Sequence, residues 1–368
     1  MKPVGIYIHT PFCASKCPYC DFYSGTPSAG AVAAYTSALL REISRYKGRG
    51  IAADTVYFGG GTPPLLGAEN IVRIIGGISD AFNISDDAEI TLEANPSFSL
   101  CELFKAVSFT QTPHCVNRIS LGMQSANEHE LRFLGRRHSN SQVSDAVLAA
   151  REAGIENISL DLMLALPRQT EEELAASVRF AHSLAPSHIS AYILKVEDNT
   201  PFGHAGIVLP EDDSVCGLYT SAVRLLGEMG YAQYEISNFS KRGMESRHNL
   251  KYWNAEEYIG FGPSAHSFFE GKRFFYPRDT ESFISSPQAI FDGDGGGEEE
   301  YIMLRLRLTE GLVFSDYRDR FGEDVPADYL KRAGELSSRG LLSIDSRAIR
   351  LTTEGFLVSN SIIGYILG

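Results

Sequence analysis

Short apolar and β-branched runs alternate with longer stretches of helical period through the first 200 residues of the chain. The runs are Val4-Gly5-Ile6-Tyr7-Ile8, Thr55-Val56-Tyr57-Phe58, Glu89-Ile90-Thr91-Leu92, Arg118-Ile119-Ser120-Leu121, Asn157-Ile158-Ser159-Leu160 and His188-Ile189-Ser190-Ala191-Tyr192-Ile193. Between them the spacing predicts helices near 29–47, 68–81, 140–153 and 171–185. Strands separated by helices long enough for a crossover predict an α/β architecture built on a parallel sheet. Thr170 followed by Glu173 marks a capping box at the start of the last of these helices. One segment breaks the alternation. The run from Val107 to His114 is poor in helix formers, so 97–116 is expected as an irregular stretch or a short helix.

Beyond about residue 201 the alternation lapses, leaving a helical stretch near 211–229 and a strand-like Gln233-Tyr234-Glu235-Ile236. Gly293-Asp294-Gly295-Gly296-Gly297, followed by Glu298-Glu299-Glu300, reads as a linker by composition. After it come an amphipathic helix from Tyr301 to Leu308 and a helix near 325–339. A hairpin then pairs Leu341-Leu342-Ser343-Ile344 with Ala348-Ile349-Arg350-Leu351. The expected organisation is a βα-repeat unit over 1–200, a connecting region over 201–297, and a mostly helical, winged-helix-like domain over 298–368. Such modules often bind DNA, but the acidic linker and mixed charge favour a packing or lid role here.

Lys and Arg number 33 against 46 Asp and Glu, a net charge of -13. No basic block is present, and phosphate contacts need clustered cations, so nucleic acid and anionic membrane surfaces are not expected as partners. No apolar run approaches the roughly 20 residues of a membrane span, which argues against stable membrane insertion. Met1-Lys2-Pro3 leads directly into the first strand, so a soluble, cytoplasmic protein without a signal peptide is expected. Of six cysteines, Cys101, Cys115 and Cys216 are scattered; they form no disulfide framework and are expected as buried free thiols.

The other three, Cys13, Cys17 and Cys20, share the loop after the first strand. So tight a loop can place three thiolates on one small inorganic centre, while the fourth ligand that closes a zinc site or a four-cysteine cluster is missing. The residues alone leave three readings: core cysteines, a zinc site completed by His9 or a later residue, or an iron–sulfur centre with one open metal position. In parallel α/β folds function collects at the carboxyl ends of the strands. Here the second strand runs into Gly59-Gly60-Gly61-Thr62-Pro63, the third into Glu93-Ala94-Asn95-Pro96 and the fourth into Gly122-Met123-Gln124-Ser125, while the fifth carries Asp161. The glycine run is a turn or a backbone cradle. Glu93 and Asp161 are structural carboxylates or acceptors for hydroxyl and ammonium groups, and Gln124 offers both donor and acceptor. Arg136 is a helix-end charge or a carboxylate clamp, and His9 a core imidazole or a contact to the centre.

The C-x3-C-x2-C loop, with Tyr19 before its last cysteine, resembles the cluster motif of the radical S-adenosylmethionine superfamily. Tyr7-Ile8-His9, Gly59 to Pro63, Glu93 to Pro96, Gly122 to Ser125 and Asp161 to Pro167 are similar to the oxygen-independent coproporphyrinogen III oxidase family within it. That resemblance implies a partial (β/α)6 TIM-like barrel and a [4Fe-4S] cluster on Cys13, Cys17 and Cys20. It also implies S-adenosylmethionine held at Tyr7, Tyr19, Gly60, Gly61, Thr62, Glu93, Gln124, Arg136 and Asp161. Two branches are open. The oxidase branch, which decarboxylates coproporphyrinogen III, is longer at its N-terminus and carries another cysteine where this chain has Phe22. Arg247-His248-Asn249-Leu250-Lys251-Tyr252-Trp253 is similar to the H-N-x-x-Y-W motif of the haem chaperone branch, as are Tyr234 to Phe239 and Gly260 to Ser267 with His266. This branch implies haem as cargo at His248, Asn249, Tyr252 and Trp253, haem-accepting proteins as partners, and a flavodoxin- or ferredoxin-like protein as reductant.

Overall fold

The protein is described from a computed structural model that covers residues 2–96, 100–110 and 113–368. Six parallel strands follow one another in space as in sequence: β1 Val4–Thr10, β2 Ala52–Gly60, β3 Asn83–Ala94, β4 Arg118–Gln124, β5 Asn157–Leu164 and β6 His188–Ile193. The crossovers carry α1 Ala31–Ser44, α2 Ala68–Ala81, α3 Cys101–Ser108, α4 Glu128–Phe133, α5 Asn140–Glu152 and α6 Glu171–Ser183. The expected capping box opens α6, with Thr170 Oγ1 accepting from Glu173 N at 3.2 Å and Glu173 Oε2 accepting from Thr170 N at 2.9 Å. Within 97–116 the helix α3 forms, while 97–99 and 111–112 lie outside the described residues.

Alternation along the strands separates two chemistries, because successive side chains point to opposite faces. Ile6, Ile8, Val56, Phe58, Ile90, Leu92, Ile119, Leu121, Ile158 and Leu160 are all buried and share one core with Leu39, Ile43, Ile71, Ile74, Ile75 and Ile78 of α1 and α2. Burial of each such side chain contributes roughly 1.5–3 kcal/mol. The residues between them are polar. Register puts Tyr7 beside Tyr57, Tyr57 beside Thr91, and Thr91 beside Arg118, which is 2% exposed. The interior of the curved sheet is therefore lined by hydroxyls, imidazoles and charges.

After β6 come α7 Pro201–His204, α8 Asp212–Glu228, β7 Ala232–Gln233, β8 Asn238–Ser240, α9 Arg247–Trp253, β9 Tyr258–Phe261, β10 His266–Phe269, β11 Lys272–Phe275, α10 Thr280–Ser285 and β12 Ile290–Asp294. Residues 201–297 thus add six strands to the same sheet, in the order β12-β11-β10-β9-β1-β2-β3-β4-β5-β6-β8-β7. The expected strand at Gln233–Ile236 is displaced. Only Ala232 and Gln233 of that run form β7, which pairs antiparallel with β8 as a hairpin turning through 234–237, and the Tyr234 hydroxyl lies 2.8 Å from His188 Nε2.

The expected linker is also corrected. Gly293 and Asp294 close β12, and Gly295 and Gly296 lie so near the Phe268 ring that an added Cβ would meet it at 2.8 and 2.7 Å. These glycines are selected by close packing, not by looseness. Glu298, Glu299 and Glu300 form the first turn of α11 Glu298–Arg305, where carboxylates suit the helix dipole. The remainder comprises β13 Leu312–Val313, α12 Phe314–Phe321, α13 Ala327–Ser337, β14 Leu342–Ile344, β15 Ala348–Leu351, α14 Thr353–Leu357 and α15 Ser359–Leu367. Its strands form a separate antiparallel sheet, β13-β15-β14, with the predicted hairpin in place. No helix among the described residues is long and apolar enough to cross a membrane.

Candidate functional site

A cleft of about 300 Å3 opens at the carboxyl ends of the strands. Cys13, Cys17, Cys20 and Tyr19 line it from the loop after β1, and Gly60, Gly61 and Thr62 from the turn after β2. Glu93, Gln124, Arg136 and Asp161 line it from β3, β4, the α4–α5 connection and β5. Every sequence-predicted contact at this end meets in one cavity except Tyr7. That ring is enclosed in the barrel, its hydroxyl 3.0 Å from His9 Nδ1.

The glycine turn is pressed against the cysteine loop. Gly61 N donates to the Thr10 carbonyl at 2.8 Å and Thr62 N to the Phe12 carbonyl at 2.7 Å, while a Cβ on Gly61 would sit 2.3 Å from that Phe12 oxygen. Gly60 adopts φ +98, a left-handed conformation that favours glycine. A side chain there would strike the His9 ring at 2.6 Å, and the ring's Nε2 lies 2.8 Å from the Tyr23 carbonyl. His9 is thus the packed support of the loop. Burial pushes its imidazole down to about 4, so it is neutral.

Thr62 Oγ1 donates to Cys13 Sγ at 3.5 Å, and burial raises the Cys20 thiol. A single zinc ion at about 2.3 Å from each thiolate requires sulfurs about 3.8 Å apart. Among the described residues the one group of three such ligand atoms within 4.8 Å of one another is His129, Glu130 and Glu173, so the three loop sulfurs do not all lie within that distance.

The polar groups facing the loop are paired with one another and with strand hydroxyls. Tyr57 donates its hydroxyl to Glu93 Oε1 at 2.8 Å, yet burial, with Asp161 adding to it, pushes the Glu93 carboxyl up to about 7. Burial also raises Asp161, which accepts from Ser120 Oγ at 3.2 Å. Arg136 is held by the Tyr19 hydroxyl through Nη2 at 2.7 Å and Nε at 3.1 Å. Gln124 stands at φ 67, a strained conformation for a residue with a Cβ, costing about 1–2 kcal/mol. Together these groups offer acceptors for ammonium and hydroxyl donors and one cation for a carboxylate. Sequence reading missed Tyr57 and Ser120 here. Both are strand residues whose inward parity was the available signal.

The second predicted set lies at the opposite end, where the strands begin. In α9 the motif splits into two i, i+4 pairs, His248 with Tyr252 and Asn249 with Trp253. His248 is buried, with Nδ1 2.8 Å from Thr55 Oγ1 and Nε2 2.8 Å from the Tyr252 hydroxyl. Its ring stacks on Tyr57 at 5.1 Å between centroids. Burial first, then Lys251 and Arg118, push it down to about 3. Glu89 accepts from the N–H groups of Arg247 and His248 at 3.2 and 3.1 Å, and Lys251 pairs with Asp54 at 2.8 Å. Asn249 and Trp253 are half-buried on a different stripe of the helix. The structure does not bring these four residues to the cleft.

Residues 7–181 match the family model of the radical SAM superfamily, and residues 299–358 that of the HemN C-terminal domain. The chain is 34% identical to the heme chaperone HemW of Escherichia coli (strain K12), covering 100% of this chain and 99% of that protein. It is 34% identical to the HemW of Bacillus subtilis (strain 168), with 98% of each covered. The HemW of Lactococcus lactis subsp. lactis (strain IL1403) is 32% identical, over 98% of this chain and 96% of that one. Among solved structures, coproporphyrinogen III oxidase (HemN) from Escherichia coli superposes with a TM-score of 0.82 at 20% identity, over 99% of this chain and 90% of that one. That likeness shows a shared fold.

Proposed function

The chain belongs to the radical SAM superfamily and, within it, to the heme chaperone HemW family, and on that footing we propose that it binds haem and hands it to acceptor proteins. The observation that carries this reading is end-to-end relatedness to proteins of that name. Cys13, Cys17 and Cys20 would hold a [4Fe-4S] cluster, which together with S-adenosylmethionine would supply one-electron chemistry at the sulfonium. The protein's own residues bind and orient. Glu93 and Asp161 accept from ammonium and ribose donors, Arg136, fixed by Tyr19, takes a carboxylate, and Gln124 bridges as donor and acceptor. Phe22, 65% exposed at the cleft rim, stands where the oxidase branch carries a cysteine, which favours haem handling over decarboxylation.

Haem ligation by His248 requires α9 to release a ring hydrogen bond to Thr55 or Tyr252. A flavodoxin- or ferredoxin-like reductant and a reducing, cytoplasmic setting complete the reading, with residues 298–368 as a packing module. The test is anaerobic reconstitution of the full chain with iron and sulfide, followed by titration with haemin and by incubation with S-adenosylmethionine, reductant and coproporphyrinogen III. A Soret shift on haemin addition without protoporphyrinogen formation is expected. Protoporphyrinogen production, or no haemin binding, overturns the proposal.

A further inference from the structure

The haem-carrier reading leaves open which side chain takes the iron, and the nine histidines are not equal candidates. An axial ligand needs a free ring nitrogen facing room for a flat macrocycle. His9, His188 and His248 are buried with both nitrogens in hydrogen-bonding contact, and His138 is buried against the Met123 carbonyl. Glu173 engages His129, and Ser79 engages His114. His182 and His204 are exposed on helix ends, the former turned edge-on to Tyr231.

His266 differs from all of these. It opens β10 and is exposed, and neither ring nitrogen hydrogen-bonds a described residue. Its ring stacks on Phe275 of β11, with centroids 5.2 Å apart and planes 23° from parallel. The antiparallel register places His266 opposite Phe275 and Phe275 opposite Ile290 of β12. Directly opposed residues share a face of a sheet, so the three form one row, and Ile290 is 47% exposed at its outer end. Strands lie about 4.8 Å apart, so this row spans about 10 Å, the scale of a porphyrin core.

Charge completes the arrangement. Arg278 follows β11, keeps a side chain 54% exposed, and pairs with Asp21 at 3.2 Å, directly after Cys20 in the chain. Partial burial pushes the His266 imidazole down, against the pull of Asp292 and with Arg273 and Arg278 adding to the shift. A flat apolar row ending in a free imidazole beside an exposed guanidinium matches a planar, iron-bearing macrocycle with carboxylate arms.

We propose that haem docks on the β10–β12 face, with His266 as axial ligand, Phe275 and Ile290 under the macrocycle, and Arg278 on a propionate. The assignment rests on the haem-carrier reading and adds a place to it. It sets the iron beside the cysteine loop and away from the H-N-x-x-Y-W segment.

The experiment titrates cluster-loaded, full-length protein with haemin and with metal-free protoporphyrin IX, following the former by magnetic circular dichroism in the Soret region and the latter by fluorescence. His266→Ala is expected to weaken haemin binding about tenfold or more and abolish the histidine-ligated signature, which added imidazole restores. Protoporphyrin IX affinity should stay within about twofold, since that ligand has no iron to lose. Ile290→Ser is expected to weaken both ligands a few-fold. A wild-type signature in His266→Ala, or its loss in His248→Ala with retention in His266→Ala, overturns the assignment and leaves the haem-carrier reading standing. Wild-type protein that binds no haemin overturns both.

Discussion

Glu89 and Glu93 lie four residues apart on one strand, and the barrel treats them in opposite ways. At the amino end both Glu89 oxygens accept backbone N–H groups from the start of α9, and the neighbouring His248, Thr55 and Tyr252 use one another's polar atoms. At the carboxyl end Glu93 hydrogen-bonds Tyr57 and Gly60, faces Asp161, and is pushed up to about 7 by burial. The first arrangement is closed: both Glu89 oxygens and both His248 ring nitrogens have partners. The second is held ready at a cost in folding free energy, because burial and the facing Asp161 disfavour the charged form of the carboxyl. Access from the cleft and a carboxyl raised by burial, more than polarity itself, separate the ligand seat from the plug.

The comparison breaks most visibly at the cysteines. Replacing any of Cys13, Cys17 or Cys20 with alanine should cut the iron and sulfide retained after anaerobic reconstitution to roughly a tenth or less, with little change in the urea midpoint. If the plug is structural, His248→Ala should cost about 2–4 kcal/mol in urea unfolding, because it opens a cavity and strands two buried hydroxyls. S-adenosylmethionine affinity should then change little; a large loss there with unchanged stability would reverse the roles of the two ends.

Glu93→Gln should do the opposite, weakening S-adenosylmethionine about tenfold in isothermal titration while raising stability at pH 8 by roughly 1–3 kcal/mol. The pH dependence follows from the raised carboxyl. Between its ordinary value of 4.5 and about 7 the folded chain retains a proton that the unfolded chain has released. This group alone therefore lowers stability as pH rises through that window, and the glutamine variant should lack that fall. A cationic occupant favours the ionised form, so affinity should climb towards pH 7 in the wild type and stay flat in the variant. The smallest effect belongs to Tyr57→Phe, which removes the Glu93 hydrogen bond and leaves the ring on His248: a loss of about 0.5–1.5 kcal/mol in binding, with stability nearly unchanged.

The six barrel strands were legible because each is a β-branched run bounded by turn residues, and the cleft residues because they sit where those runs end. Tyr57 and Ser120 were not, since inside a strand they look like any β-favouring residue until register shows what they face. Tyr7, expected at the cleft by motif, is not among its lining residues, and its hydroxyl lies 3.0 Å from His9 Nδ1. The later strands escaped for another reason. β8 to β12 span three to five residues each, too few for a period to show. β12 contains Gly293 and Asp294, composition that favours loops, and is a strand because β11 pairs with it. The helix α9 is seven residues long, under two turns, so its two stripes are visible only once the barrel end is known.

The chain has a single tryptophan, and it closes α9. Emission excited at the red edge of protein absorbance therefore originates entirely at the plug, while the visible absorbance of a cluster held by Cys13, Cys17 and Cys20 would originate at the cleft. Two colours of light address the two ends of one barrel separately. Followed together through a denaturant series, they tell whether the protein comes apart as one body or opens first at the cleft.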